Sequence, residues 1–185
     1  MESFLISTGV VALGEIGDKT QLLAFMLAAR FKRPWPICAG ILIATLLNHG
    51  AAGALGAWIT SLVSPQTLRW VLGLGFLAMA AWTLVPDKID EGEVKTSTGL
   101  GVLGTTVISF FLAEMGDKTQ IATVALAARF HDIIPVVAGT TLGMLIADVP
   151  AVWMGQRLAG RLPVRLVHGI AAVVFAVLGV LTLVW

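Results

Sequence analysis

Apolar residues fill the chain in long blocks, and short charged or proline-containing breaks divide them into six segments, about 4–30, 35–62, 67–85, 99–129, 134–157 and 163–184. Each is long enough for a helix crossing roughly 30 Å of hydrocarbon, and the first and fourth are long enough to tilt or break. The pattern predicts an all-α membrane protein with six transmembrane helices. At one point in the first and fourth segments the apolar pattern fails. GEIGDKT from Gly14 and AEMGDKT from Ala113 each place three charged side chains at membrane depth.

The two interruptions are copies. Glu15–Phe31 and Glu114–Phe130 are identical at eleven of seventeen positions with a fixed offset of 99. The same offset, without gaps, aligns Pro36 with Pro135, Ala39-Gly40 with Ala138-Gly139, Gly56 with Gly155, and Thr83-Leu84-Val85 with Thr182-Leu183-Val184. Two halves of three spans each follow, residues 1–85 and 99–185, joined by the polar stretch PDKIDEGEVKTST at 86–98. That stretch is charged and lacks aromatics, so it reads as a solvated linker. An odd number of spans per half makes the second half enter the membrane upside down, an inverted repeat that brings the two motifs together near mid-depth.

Charge in the connecting segments sets the orientation. Arg30, Lys32, Arg33, Lys88, Lys95, Arg157, Arg161 and Arg165 fall on one side of a six-span path, Arg69 and Arg129 on the other. The positive-inside rule then places the linker in the cytoplasm and both termini outside it. No basic stretch precedes the first apolar segment, so no cleaved signal peptide is expected. Composition adds exclusions. Only 12% of residues are charged, the net charge is +1 and mean hydropathy is +0.92, which leaves no broad basic surface for nucleic acid.

The motif residues carry the chemistry. On a continuous helix Glu15, Asp18 and Lys19 share a face, as do Glu114, Asp117 and Lys118, with Thr20, Gln21, Thr119 and Gln120 beside them. An inert seam of Glu–Lys pairs spaced four residues apart fails on count, since two lysines cannot neutralise four carboxylates, and Asp148 in the fifth segment makes five. The charge deficit suits a divalent cation plus a proton. Oxygen-only donors favour hard ions such as Ca²⁺, Mg²⁺ or Mn²⁺, and burial disfavours the charged form of a carboxylate, so one placed here can exchange metal for a proton. Gly17 and Gly116 suit either close helix packing or a local unwinding that frees backbone carbonyls. Gly50, Gly53 and Gly56, with Gly139 and Gly143, are expected at helix–helix contacts. The offset sets His49 against Asp148, with Asn48 adjacent, and this group suits either a histidine satisfied by a neighbouring helix or a part in proton coupling or gating. His168 is expected at an interface and His131 in a loop.

The doubled E-x-G-D-K-T hexapeptide resembles the signature of the GDT family of manganese/calcium–proton exchangers (transmembrane protein 165 type). AARFKRPWPICAGILIATLLNHGAAGALGAW and AGTTLGMLIADVPAVWMG also look like its bacterial members. The resemblance implies a six-helix inverted-repeat antiporter that moves Mn²⁺ or Ca²⁺ against H⁺. It implies Glu15, Asp18, Glu114 and Asp117 as metal ligands, with Thr20 and Thr119 as nearby oxygen donors. It further implies a multi-pass manganese exporter of a bacterial inner membrane, needing no cofactor beyond the transported ion and the proton. Two other readings of the residues stay open. An exporter of a small organic cation or amino acid needs fewer carboxylates and more aromatic lining. An intramembrane aspartyl protease would use Asp18 and Asp117 as a dyad, but has no use for the flanking Glu and Lys residues.

Overall fold

The computed structural model describes residues 1–85, 100–154 and 164–184, and eight α-helices lie among them. In chain order they are α1 (Glu2–Glu15), α2 (Lys19–Phe31), α3 (Pro34–Leu62), α4 (Pro65–Thr83), α5 (Gly101–Glu114), α6 (Lys118–Phe130), α7 (Ile133–Met154) and α8 (Val164–Val184). The expected linker, with Lys88 and Lys95, lies outside the described residues, as do Arg157 and Arg161. The first and fourth apolar segments are each broken into two short helices at the charged motif. Within the described residues, each of the other four segments holds a single helix.

Local sequence explains the ends. α3 and α4 begin on prolines, which lose nothing where the first helical N–H groups have no partner. Ser64 caps α4 by accepting a hydrogen bond from the Thr67 N–H at 3.3 Å. α2 and α6 stop at Lys32 and His131, which adopt left-handed backbone (φ 52° and 53°) and donate their N–H groups to Ala28 and Ala127. His131 is therefore a helix cap.

Beside an apolar core, the burial pattern departs from that of a water-soluble protein. Ser7, Thr45, Asn48, His49, Thr106, Ser109, Thr140 and Asp148 are buried, whereas Leu47, Leu55, Trp58, Val71, Leu74, Val173 and Val177 are exposed. Apolar side chains outside and polar groups inside suit a hydrocarbon solvent. Pro34–Leu62, Ile133–Trp153 and Arg165–Val184 are each long and apolar enough to cross a membrane. With α1 and α5 at 14 residues and α2 and α6 at 13, none of these four spans a bilayer alone.

The two halves exchange partners. α1 packs along α7 and α5 along α3, so the first helix of each half lies on a long helix of the other. Glycines permit these approaches. A Cβ at Gly40 would meet Thr106, and one at Gly139 would meet the Phe4 carbonyl and Ser7, positions that correspond under the 99-residue offset. Gly143 fits against the backbone of Thr8 and Ala12, and Gly53 and Gly56 against Val137 and Val124. Gly50 faces open space, so its expected contact role is corrected. α4 and α8 lie side by side, with Phe76 and Phe175 stacked at 6.5 Å and Gly73 against Gly179 and Leu183.

Candidate metal centre

The break between α1 and α2 follows from one residue. Ile16 is extended (φ −63°, ψ 114°), Gly17 has φ 86°, and the Asp18 N–H donates to the Glu15 carbonyl at 3.0 Å. These are the marks of a type II turn, which requires positive φ at its third residue and so selects glycine. The second motif repeats them, with Met115 at φ −63°, ψ 117°, Gly116 at φ 75°, and the Asp117 N–H to the Glu114 carbonyl at 3.1 Å. Asp18 and Asp117 then stand at the N-caps of α2 and α6. Each aspartate therefore lies where a helix dipole is positive.

This geometry corrects the continuous-helix expectation. Glu15 ends one helix, Lys19 begins the next, and the one-face argument does not hold across the turn. The lysines pair across the repeat. Lys118 Nζ bridges Asp18, with both side chains buried, and Lys19 Nζ lies 3.3 Å from Asp117. Each lysine thus engages the aspartate of the opposite motif. These pairs join the start of α6 to the first turn and the start of α2 to the second, and removing one partner of a buried pair is costly.

The glutamates are held from within their own motifs. Thr20 Oγ1 donates to Glu15 Oε2 at 2.5 Å, and Thr119 Oγ1 donates to Glu114 Oε2 at 3.0 Å. Thr119 also lies 3.5 Å from Asp117 Oδ2. The second oxygens, Glu15 Oε1 and Glu114 Oε1, are buried without a hydrogen-bond partner among the described residues. Oxygens of Glu15, Glu114 and Asp117 lie within 4.8 Å of one another. Three of the four predicted carboxylates therefore converge, and the fourth, Asp18, lies outside that grouping beside Lys118.

Gln21 and Gln120 tie the turns to the long helices. Gln21 accepts from the Gly17 N–H (3.1 Å) and donates to the Ala147 carbonyl (3.0 Å). Gln120 accepts from the Gly116 N–H (2.8 Å) and lies 3.5 Å from Asn48 Oδ1, while Asn48 donates to the Phe111 carbonyl at 3.1 Å. Ala147 precedes Asp148 and Asn48 precedes His49, so each turn is latched beside one of these residues. Asp148 is fully buried. Neither its oxygens nor the ring nitrogens of buried His49 have a hydrogen-bond partner among the described residues. His168 departs from its expected interfacial place: it is buried, with Nε2 2.9 Å from the Ile16 carbonyl in the turn. Sequence offered only a weak signal for it, a histidine near the start of an apolar segment.

The cluster can hold a hard cation and can hold protons. Asp18 and Asp117 are each engaged by a lysine, which a proton-sharing catalytic dyad has no use for. Comparison with known proteins agrees. The profile of the family described as divalent cation/proton antiporter GDT1 matches residues 3–91 and 102–185. A Vibrio cholerae protein proposed as a manganese exporter is 48% identical over 183 residues, covering 98% of this chain and 90% of that protein. A GDT1-like protein of Synechocystis is 30% identical over 203 residues, covering 96% of each chain. GDT1-like protein 3 of Oryza sativa is 29% identical over 199 residues, covering 94% of this chain and 71% of its own. No solved structure matches the chain. With both halves matched and the doubled motif at their meeting point, the chain belongs to the GDT1 family of divalent cation/proton antiporters, multi-pass secondary transporters of the membrane.

Proposed function

We propose that this protein exports Mn²⁺ from the cytoplasm in exchange for protons, from the inner membrane of a bacterium. The observation that carries the reading is the meeting of Glu15 with Glu114 and Asp117 in one buried cluster whose oxygens lie within 4.8 Å. An oxygen-only cluster favours a hard divalent cation, Mn²⁺ and Ca²⁺ among them. The manganese assignment of the Vibrio cholerae relative supports Mn²⁺ between them. Ca²⁺ remains a second cargo to be compared directly.

In this reading Glu15, Asp18, Glu114 and Asp117 are the metal ligands, three of them gathered in the cluster and Asp18 beside Lys118. Thr20, Thr119, Gln21 and Gln120 orient the ligands. Lys19 and Lys118 supply positive charge when the metal has left. Asp148, Asn48 and His49 serve the proton branch or gate the site. The chain crosses the membrane six times, with α1–α2 and α5–α6 as two broken spans, in inverted halves 1–85 and 99–185. A cytoplasmic linker at 86–98 joins them, and both termini lie outside the cytoplasm. The exchange of partners between halves supports this path. So does the gathering of the ends of α3, α6 and α8 with the start of α4 around Thr60, Gln66, Arg129 and Thr182. Rocking of one half against the other would expose the cluster alternately to each side.

Metal flux into proteoliposomes under an imposed pH gradient tests the proposal. Wild type should move Mn²⁺, with Ca²⁺ and Mg²⁺ compared, and Glu15→Gln and Asp117→Asn should each abolish flux. Undiminished flux in those variants would remove the site.

A further inference from the structure

Away from the acidic cluster, a cavity of about 440 Å³ opens between the end of α3, the first turns of α4, the end of α6 and the end of α8. Its polar lining is Thr60, Gln66, Arg69, Arg129, His131 and Thr182, with no carboxylate among the lining residues. α6 begins at the acidic cluster and reaches the cavity at Arg129, about 16 Å further along at 1.5 Å per residue. The two sites are distinct and of opposite charge.

Arg129 is positioned by Thr182. Its Nε lies 3.3 Å from Thr182 Oγ1, which in turn donates to the Leu178 carbonyl at 2.7 Å. That bond uses one N–H and leaves the terminal fork of the guanidinium for another acceptor. Arg69 Nε is buried with no hydrogen-bond partner among the described residues. An arginine keeps its charge under all ordinary conditions, so an unpaired buried donor on it is costly until an anion arrives. Two guanidinium groups, a histidine and hydroxyls around one concavity form a donor set for a tetrahedral oxyanion. The volume lies within the range of about 300–1,000 Å³ usual for small-molecule sites.

We propose that this cavity binds a phosphate group, and that the phosphate belongs to the headgroup of an anionic phospholipid. The source follows from the surroundings. Directly after Arg69, α4 presents exposed Trp70, Val71 and Leu74, an apolar surface suited to acyl chains with a tryptophan near the headgroup level. The two arginines beside this apolar helix face offer an anionic headgroup charge-assisted contacts to its phosphate. A lipid seated here would clamp the ends of α3, α4, α6 and α8 together.

Native mass spectrometry of the detergent-purified protein, offered equal amounts of phosphatidylglycerol and phosphatidylcholine, tests this. Wild type should retain phosphatidylglycerol preferentially. Arg69→Gln and Arg129→Gln should each weaken that retention about tenfold, the loss expected for one charge-assisted contact. Arg30→Gln, at the end of α2, should leave retention unchanged. Should the glutamine variants fail to fold, Thr182→Val releases Arg129 more gently and should weaken retention in the same direction. Equal retention of both lipids, or a phosphatidylglycerol preference untouched in the variants, would overturn the site. Displacement of the lipid by inorganic phosphate at matching concentration would overturn the lipid as its source. Metal flux, measured separately, does not depend on this result.

Discussion

The crossed lysine–aspartate pairs make the sharpest prediction. Lys118→Met keeps the length and most of the volume of the side chain but removes the lysine that bridges Asp18. Lys118 is 1% exposed and Asp18 is fully buried, so bulk water does not replace the lost charge. Breaking a buried pair by removing one partner costs about 3–5 kcal/mol. For a chain of this size each kcal/mol shifts the midpoint of thermal unfolding by about 2–4 °C, so a fall of about 6–20 °C is expected. Lys19→Met should cost less, because Lys19 is 17% exposed and its pair with Asp117 is looser at 3.3 Å. The decisive measurement is the pattern of rescue, read by thermal unfolding in detergent without metal. Asp18→Asn should restore much of the loss in Lys118→Met, since it removes the charge that Lys118 balanced, and Glu114→Gln should restore little. Asp117→Asn should do the same for Lys19→Met, and Glu15→Gln should not. Rescue of Lys118→Met by Glu114→Gln but not by Asp18→Asn would refute the crossed pairing and reinstate pairing within each motif.

Three further outcomes follow from the same geometry. Protons compete with the metal for Glu15, Glu114 and Asp117, so the dissociation constant for Mn²⁺, measured by calorimetry, should rise as pH falls from about 8 to about 6; a flat profile would contradict exchange at this cluster. Gly116→Ala meets no neighbouring atom but must hold φ 75°, so it should destabilise by about 1–2 kcal/mol and depress metal flux. Gly50→Ala, in a helix facing open space, should stabilise by about 0.5–1 kcal/mol with flux intact, and equal effects of the two would argue against the turn. His168→Leu removes the partner of the Ile16 carbonyl and should lower flux in proteoliposomes while His131→Leu does not; unchanged flux in His168→Leu would make that contact incidental.

Much of this protein was legible before any coordinates. Solvent determines which residues face outward, so long apolar blocks specify membrane helices. A duplicated hexapeptide can be read by matching letters alone, and it located Glu15, Asp18, Glu114 and Asp117 as a costly group needing a cation. Gly17 and Gly116 left a break in each span open as one of two readings, and the positive φ they adopt decides for it. Pairing was not legible. Read along one helix, Lys19 has Glu15 four residues behind it, and nothing in the order of residues says that its partner is Asp117, 98 positions away in the chain. The same holds for His168 reaching Ile16, for Gln21 reaching Ala147, and for Arg69 and Arg129 sharing a cavity. Each of these depends on where two distant segments are placed in space. That placement is set by helix packing at glycines and by burial of polar groups, which act on the folded chain as a whole.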